Sequence, residues 1–316
     1  MGMVGPARLV MNGRELSPHV FAFLDEGGVL VPAAQFARRC GPCCVTVSGP
    51  DEVAVELLDQ GSSRMVILRA GSEVAVVDGT AMPLAGRAVL SQGALLAPVE
   101  FMARCFGAVV WQEPGCNAVV VARTEPSMLG KLVLLDPGHG GADSGAVGAS
   151  GVVEKDVNLD VARRAATLLE RSGAGIRLTR NDDVRLSPRE RVRVSAEAHP
   201  DAVISIHHNW FWDAAVKGTE TYYYEEWPSR LLAARLQESL VEEMESEDRH
   251  VKEGGLYVLK HTRGAAALTE AGFLSNAEDE DRLRDPWRRQ KEALGILRGV
   301  RSYFEEKMAW EEGEPA

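Results

Sequence analysis

Lysine is missing from the first 130 residues of this 316-residue chain, and Lys131 is the first. Up to Gly130 the chain has 9 arginines against 12 acidic residues, and after it 26 basic against 34 acidic residues. All cysteines also precede Asn117. Because residue usage changes so sharply at one point, we predict two domains that meet near residue 130.

Long hydrophobic runs are absent as well. No uninterrupted apolar stretch reaches the roughly 18 residues that suggest a spanning helix, so we expect no transmembrane segment. The first residues, MGMVGPARLVMNGREL, lack the charged segment and apolar core of a secretory signal, and we expect no signal peptide in this sequence. The net charge of -11 argues against nucleic-acid binding, because phosphate binding needs clustered lysine and arginine.

Cysteine is scarce, and the full set is Cys40, Cys43, Cys44, Cys105 and Cys116. An odd number cannot be fully paired within one chain. The CGPCC stretch has neither a nearby histidine nor a second CxxC to complete a metal or redox site. We therefore interpret these thiols as buried or incidental.

The region before the boundary repeats itself at an offset of 66 residues. MNGREL, from Met11, matches VDGTAM, from Val77, and VLVPAAQFARRCG, from Val29, matches LLAPVEFMARCFG, from Leu95. Each copy is typical of hairpin strands, a proline at the start of a short helix and a glycine at its end. We predict a smaller α+β domain over residues 1–123, built by internal duplication.

Residues 124–130 contain a proline and a glycine and are predicted to be a linker. Beyond them, KLVLLD, GIRLTR, DAVISIHHN, ETYYYE and AALTEAGFLSN predict strands, with helical patterns between several of them. This alternation predicts an α/β domain over residues 131–306, with a mostly parallel sheet flanked by helices. A last helix starts near Asp285, and residues 307–316 are predicted to be a frayed acidic tail.

Three polar residues lie at the ends of predicted strands, where a parallel sheet gathers its functional groups, and a fourth opens the first helix. His139 lies in the glycine-rich stretch LLDPGHGGADSG, and His207 follows the apolar run VISI. Glu154 opens the first helix, and Glu270 lies within the last strand. Two imidazoles and one carboxylate suit a zinc ion with an open fourth position, and a second carboxylate is then needed as general base.

A phosphate-binding loop is the alternative interpretation of the same glycines. The stretch lacks GK[ST], and Asp143 stands where the GxGxxG pattern needs its last glycine. A phosphate site would also leave His207 and Glu270 without a role. We therefore favour the metal site.

Five ordered motifs resemble N-acetylmuramoyl-L-alanine amidases of the amidase-3 type: LLDPGHGGADSGAVGASGVVEKDVNL, RLTRNDD, ISIHHN, GTETYYY and TEAGFLSN. The resemblance covers Lys131 to about Glu306. It implies a phosphorylase/hydrolase-like fold and a zinc-dependent hydrolase. Such an enzyme cleaves the amide between the lactyl group of N-acetylmuramic acid and the L-alanine of the stem peptide in peptidoglycan. Its partner is then peptidoglycan, and its place is the cell envelope or the extracellular space.

The resemblance also implies roles for the four polar residues. By position, His139, Glu154 and His207 would bind one zinc ion. Glu270 would be the catalytic carboxylate, which takes a proton from water and passes it to the leaving alanine nitrogen.

Two other assignments stay open. His208 could replace its neighbour as the ligand, because adjacent strand residues point to opposite faces and only one can face the metal. Glu220 could replace the predicted base.

The aromatic stretch NWFWDAA is either part of a core or a platform for glycan and peptide. We predict substrate contacts by Asn209, Trp210 and Trp212.

Residues 7–123 resemble the copper amine oxidase N-terminal-like domain, a stalk module of secreted bacterial proteins. His19 is the only histidine before Gly130, so we expect no copper site there. We interpret the domain as a rigid spacer or a module that binds the cell wall or another envelope component.

Two rival functions remain for the whole chain. One is another zinc amide hydrolase, such as a sugar deacetylase or carboxypeptidase, and the other is a catalytically inactive wall-binding protein.

Overall fold

The structure, a computed structural model, divides into two compact units, Met1–Arg123 and Thr124–Ala316. It describes residues 6–11, 14–15, 22–25, 28–40, 43–49, 51–59, 62–91, 93–113, 118–123, 125–225, 227–311 and 313. His19 and Cys116 lie outside these ranges, as do the side chains of Cys40, Cys43 and Cys44. Within the described residues, no helix combines the length and apolar character needed to cross a membrane.

The first unit consists mainly of strands. They are β1 (Pro6–Met11), β2 (Arg14–Glu15), β3 (Ala22–Asp25), β4 (Gly28–Pro32), β5 (Cys43–Gly49), β6 (Glu52–Asp59), β7 (Ser62–Arg69), β8 (Val74–Val77), β9 (Thr80–Pro83), β10 (Val89–Ser91), β11 (Ala94–Pro98), β12 (Ala108–Glu113) and β13 (Ala118–Arg123). Its helices are α1 (Ala33–Cys40) and α2 (Val99–Cys105). One sheet has the order β10-β11-β4-β3-β1-β13-β12, with β2 on β1, and a second runs from β5 to β9 in sequence. This architecture agrees with the predicted small α+β domain.

The pairing of strands supports the internal duplication. Strands β4 and β11 are antiparallel, and Val31 pairs with Ala97, its equivalent at the offset of 66 residues. A local twofold axis therefore passes through this pair of strands. The hairpins β1–β2 and β8–β9 also share one register, since Met11 pairs with Arg14 and Val77 with Thr80.

The second unit is an α/β domain. Its strands are β14 (Leu132–Pro137), β15 (Gly175–Leu178), β16 (Ala202–Asn209), β17 (Thr219–Tyr223), β18 (Asp248–Glu253) and β19 (Ala265–Phe273). Its helices are α3 (Glu154–Arg171), α4 (Pro188–Ala198), α5 (Ser229–Met244), α6 (Tyr257–His261), α7 (Ala277–Arg284) and α8 (Pro286–Glu311). The sheet order is β15-β14-β16-β19-β17-β18. The first four strands are parallel, and β17 and β18 run in the opposite direction. The predicted mostly parallel sheet flanked by helices is confirmed.

Helices α3 and α4 form for reasons that are visible in the sequence. In α3, Leu159 and Leu169 lie on one apolar face at helical spacing, and this face is buried. Helix α4 begins with a capping box. The Ser187 hydroxyl accepts from the Glu190 backbone N–H, and the Glu190 carboxylate accepts from the Ser187 backbone N–H. Both helices begin near the site described below.

Two segments differ from the sequence-based expectation. The predicted linker contains a 3-10 turn at Pro126–Met128, in which Met128 is fully buried in the second unit. The predicted tail 307–316 begins inside α8, which continues to Glu311. An ion pair between Lys307 and Glu311 at 3.1 Å supports this last helical turn.

Candidate metal centre

The three predicted ligands converge at the carboxyl end of the parallel strands. His139 lies in the loop after β14, Glu154 is the first residue of α3, and His207 lies near the end of β16. One donor atom from each lies within 4.8 Å of the donors of the other two. Residues that are 68 positions apart in the sequence therefore form one group.

Glu154 is the centre of this group. Its Oε1 lies 2.9 Å from His207 Nδ1 and 3.2 Å from His139 Nε2. Burial opposes the charge on this carboxylate, but hydrogen bonds with the two imidazoles more than offset burial and hold the pKa of Glu154 well below its ordinary value. An ionised carboxylate between two imidazoles is a donor set that suits zinc.

The glycine-rich loop leaves room for these side chains. A Cβ at Gly138 would overlap the His207 ring, and a Cβ at Gly145 would overlap Glu154 Oε2 and lie 2.6 Å from His139 Cδ2. Gly145 also has a φ of +64°, which side chains rarely adopt. The loop therefore contains glycine at these positions because its backbone lies directly against the side chains of the site.

Two buried arginines hold the backbone of the same loop. Arg191 donates to the carbonyl oxygens of Pro137 at 2.7 Å and His139 at 2.8 Å. Arg180 donates to Pro137 O at 3.0 Å and to Gly138 O at 2.9 Å. These bonds give both arginines a structural role at the loop, and sequence reasoning missed Arg191. Its only sequence signal is its position one turn into the capped helix α4.

Asp143 orients the first histidine. Its Oδ1 lies 3.0 Å from His139 Nδ1, so the opposite ring nitrogen, Nε2, faces Glu154. A carboxylate behind a metal-binding histidine fixes the ring and raises its basicity. Sequence reasoning weighed Asp143 only as a residue that breaks a glycine pattern and missed this contact.

Glu270 occupies the middle of a polar row across the sheet. In the strand register it pairs with His207 on one side and with Glu220 on the other, so all three side chains share a face. Its Oε2 is buried and has no hydrogen-bond partner among the described residues. Burial first, and then the charges of Glu154, Glu220 and Glu292, raise the pKa of Glu270 well above its ordinary value. This carboxylate is therefore a stronger base than an ordinary glutamate.

Glu220, the reserve candidate for the base, has the opposite environment. Its buried carboxylate accepts from Lys252 at 2.6 Å, Arg249 at 3.0 Å, Tyr222 at 2.7 Å and Asn209 at 3.0 Å. Burial opposes its charge, yet the bonds from Lys252, Tyr222 and Arg249 lower the pKa of Glu220. A carboxylate with two cationic partners is a poor base, so the geometry favours its neighbour on β19.

His208 points away from the three-donor group. Its buried ring contacts Asn158 and Glu292 on the opposite face of β16. The alternation of side chains along a strand explains why two adjacent histidines lie in different surroundings. The geometry therefore favours His207 as the ligand.

The aromatic stretch after β16 is exposed. Trp210 is 56% and Trp212 is 77% accessible, and Phe211 packs against Trp212 with ring centroids 5.3 Å apart. The interpretation of these rings as core is therefore wrong. Asn209 donates to Glu220 at the edge of the polar row. Substrate contact by Asn209, Trp210 and Trp212 stays a prediction.

Residues 133–302 match the N-acetylmuramoyl-L-alanine amidase family. The chain belongs to this family. Residues 9–121 match the copper amine oxidase N-terminal domain. Both resemblances noted in the sequence are confirmed.

Among curated relatives, N-acetylmuramoyl-L-alanine amidase LytC of Bacillus subtilis (strain 168) is 36% identical over 199 residues, which are 62% of this chain and 40% of the relative. The chain thus spans less than half the length of LytC. The germination-specific N-acetylmuramoyl-L-alanine amidase of the same organism is 34% identical over 194 residues, which are 56% of this chain and 81% of that protein. Among solved structures, the catalytic domain of the amidase CwlV from Bacillus (Paenibacillus) polymyxa var. colistinus has a TM-score of 0.54 and 35% identity, covering 55% of this chain and 98% of that one. Residues 133–302, which match the family, lie in the second unit.

The close contacts of Gly145 predict that a side chain at this position weakens metal binding. Gly145→Ala should reduce zinc affinity more than about tenfold, because the added methyl group displaces Glu154 and His139 from each other. Gly151→Ala is the matched control, since Gly151 also has a positive φ of +91° but its Cβ would meet no atom within 4 Å. Zinc content after equilibrium dialysis measures the difference. Equal zinc content in the two variants would contradict the role of Gly145.

Proposed function

We propose that this protein is a zinc-dependent N-acetylmuramoyl-L-alanine amidase. It hydrolyses the amide between the lactyl group of N-acetylmuramic acid and the L-alanine of the stem peptide in peptidoglycan. The observation that carries the proposal is the convergence of His139, Glu154 and His207 beside Glu270, whose buried Oε2 has no hydrogen-bond partner in the described ranges. Membership of the amidase family supports the choice of substrate.

The residues present fit a zinc ion. His139, Glu154 and His207 would hold the ion, and two neutral imidazoles with one carboxylate would leave it a net positive charge. The other ring nitrogen of His139, Nδ1, already contacts Asp143, which fixes the orientation of the ring. A zinc ion bound there would supply Lewis acidity, which would polarise an amide carbonyl and acidify water.

The protein's own part in the reaction is proton transfer and positioning. Glu270 takes the proton of the attacking water, because no donor among the described residues bonds to its Oε2 and its surroundings make it basic. The same carboxyl group then passes the proton to the leaving alanine nitrogen. Glu220 stays ionised beside Lys252 and Arg249, so it takes no part in the transfer.

We also infer where the protein acts. Peptidoglycan lies outside the cytoplasmic membrane, so the proposed substrate implies a place in the cell envelope or the extracellular space. The first unit then serves as a spacer or as a module that binds the cell wall or another envelope component, as its resemblance to a stalk domain implies.

Product analysis tests the proposed reaction. Purified cell walls incubated with the zinc-loaded protein should yield muramic acid with a free lactyl carboxylate and stem peptides with a new L-alanine N-terminus. Mass spectrometry of the products identifies both groups, and removal of zinc by a chelator should abolish their formation. Released acetate would instead indicate a deacetylase, and a released C-terminal amino acid a carboxypeptidase. Intact walls would indicate an inactive wall-binding protein.

The role of Glu270 has a direct test. Glu270→Gln should reduce kcat by about 100- to 10,000-fold, because an amide cannot accept the proton of the attacking water. Zinc should remain bound, since Glu270 lies outside the three-donor group. Glu154→Gln is the matched comparison and should lose zinc as well as activity. Full turnover by Glu270→Gln would assign the base to another residue, and loss of its zinc would show that Glu270 is needed for metal binding.

The exposed aromatic stretch is proposed to bind substrate. Trp212→Ala should raise KM about 2- to 10-fold with little change in kcat, because a lost aromatic contact is worth about 0.5–1.5 kcal/mol. Trp310→Ala is the control, since Trp310 is also an exposed tryptophan but lies in the last turn of α8. Steady-state kinetics on solubilised muropeptides gives both constants. Equal KM values for the two variants would remove Trp212 from the substrate site.

A further inference from the structure

Behind the metal centre, on the opposite face of β16, lies a buried chain of polar side chains that the proposed reaction does not use. It consists of His208, Asn158 on α3 and Glu292 on α8, all at most 1% exposed. Buried polar groups are costly unless each has a hydrogen-bond partner. The partners of these three side chains therefore indicate what the chain does.

The orientation of Asn158 follows from its neighbours. Its Nδ2 lies 3.3 Å from Glu154 Oε1 and 3.3 Å from Gly138 O, which are both acceptors, so the amide nitrogen must face them. Its Oδ1 then faces His208 Nδ1 at 2.8 Å. Since Oδ1 can only accept, His208 Nδ1 carries a hydrogen and donates it.

The other ring nitrogen is fixed as well. His208 Nε2 lies 3.0 Å from Glu292 Oε2, and both side chains are fully buried. Two facing lone pairs would repel, so one hydrogen lies between these atoms. The second oxygen of Glu292 has no hydrogen-bond partner in the described part of the chain, so the hydrogen bonds of Glu292 depend on His208. A continuous series of contacts therefore links Glu292, His208 and Asn158 to Glu154.

We propose that His208, anchored by Glu292, is a positioning residue that holds the Asn158 amide, and through it the Glu154 carboxylate, in the orientation that binds the metal ion. The backbone N–H of His208 adds a direct bond to Glu154 Oε1 at 3.2 Å. The inference rests on the proposed zinc site. A buried ion pair is not needed for stability, since apolar residues of similar volume often replace one without loss. Positioning of a metal ligand gives these two residues a role that an apolar pair could not fill.

Three variants of the full chain separate positioning from stability. His208→Gln keeps an amide donor near Nε2 for Glu292 but has no group at the place of Nδ1, so it cuts the link to Asn158. The double variant His208→Leu/Glu292→Leu removes the whole link without leaving a buried charge unpaired. Glu292→Gln keeps the series intact, because its amide can donate to Nε2 of a neutral ring that still donates from Nδ1. The control is Arg298→Met/Glu243→Leu. It replaces a buried ion pair, 2.9 Å long, that joins α8 to α5 and has no contact with the metal ligands.

The readouts are the zinc dissociation constant, from competition with a chromophoric chelator, and the visible spectrum of the cobalt(II)-loaded protein. His208→Gln and the double variant should bind zinc about 10- to 100-fold more weakly and shift the cobalt bands, while thermal unfolding remains cooperative. Glu292→Gln and the control should stay within about threefold of the unchanged protein. The inference is overturned if His208→Gln and His208→Leu/Glu292→Leu both fold and bind zinc as tightly as the unchanged protein. If the unchanged protein itself binds no zinc, the proposed zinc site fails, and this inference with it.

Discussion

A carboxylate that is almost fully buried must be paired, because an isolated charge in the interior costs several kcal/mol. Glu154 meets this constraint by lying between two imidazoles at the N-terminus of α3, where the helix dipole also favours a negative charge. The backbone N–H of Ala146 donates to its second oxygen at 2.8 Å. The glycine-rich loop, the start of α3 and the end of β16 are thus held together around one charged group.

The sheet arranges the remaining chemistry by register. Parallel strands β16 and β19 place His207 beside Glu270, and the antiparallel strand β17 adds Glu220 on the far side. The three residues share a face but not an environment. His207 contacts Glu154, Glu220 is neutralised by Lys252 and Arg249, and the buried oxygen of Glu270 lacks a hydrogen-bond partner within the described ranges. One row of side chains can therefore supply a metal ligand, a proton acceptor and a fixed anion.

Much of this fold could be predicted from the sequence because the strands and helices around the site have strong periodicity. The apolar runs before His139 and His207 and the capping box of α4 are local signals. Strand β18 and helix α7 were missed, because DRHVKE has no apolar alternation and AEDEDRLR has Leu283 as its only large apolar residue. In α7 two buried carboxylates replace the missing apolar face: Asp279 accepts from backbone N–H groups, and Glu280 accepts from backbone and side chain of Ser150.

The predicted metal ligands came from ordered motifs, whereas their supports could not be found in that way. Asp143 and Arg191 act on the backbone and ring of His139 through contacts that no spacing rule describes. His208 and Glu292 meet although 84 positions separate them, and neither residue alone indicates the other. Sequence patterns thus indicate the side chains that carry the chemistry, and tertiary packing determines which side chains hold them.

The central claim is that two histidines and one glutamate of this chain bind a single zinc ion. X-ray absorption at the zinc edge, measured on the full chain loaded with one equivalent of zinc, tests it most directly. The account predicts only nitrogen and oxygen donors at about 2.0–2.2 Å, with the outer-shell scattering of two imidazole rings. A sulfur donor at about 2.3 Å, or scattering from a number of imidazoles other than two, would contradict it.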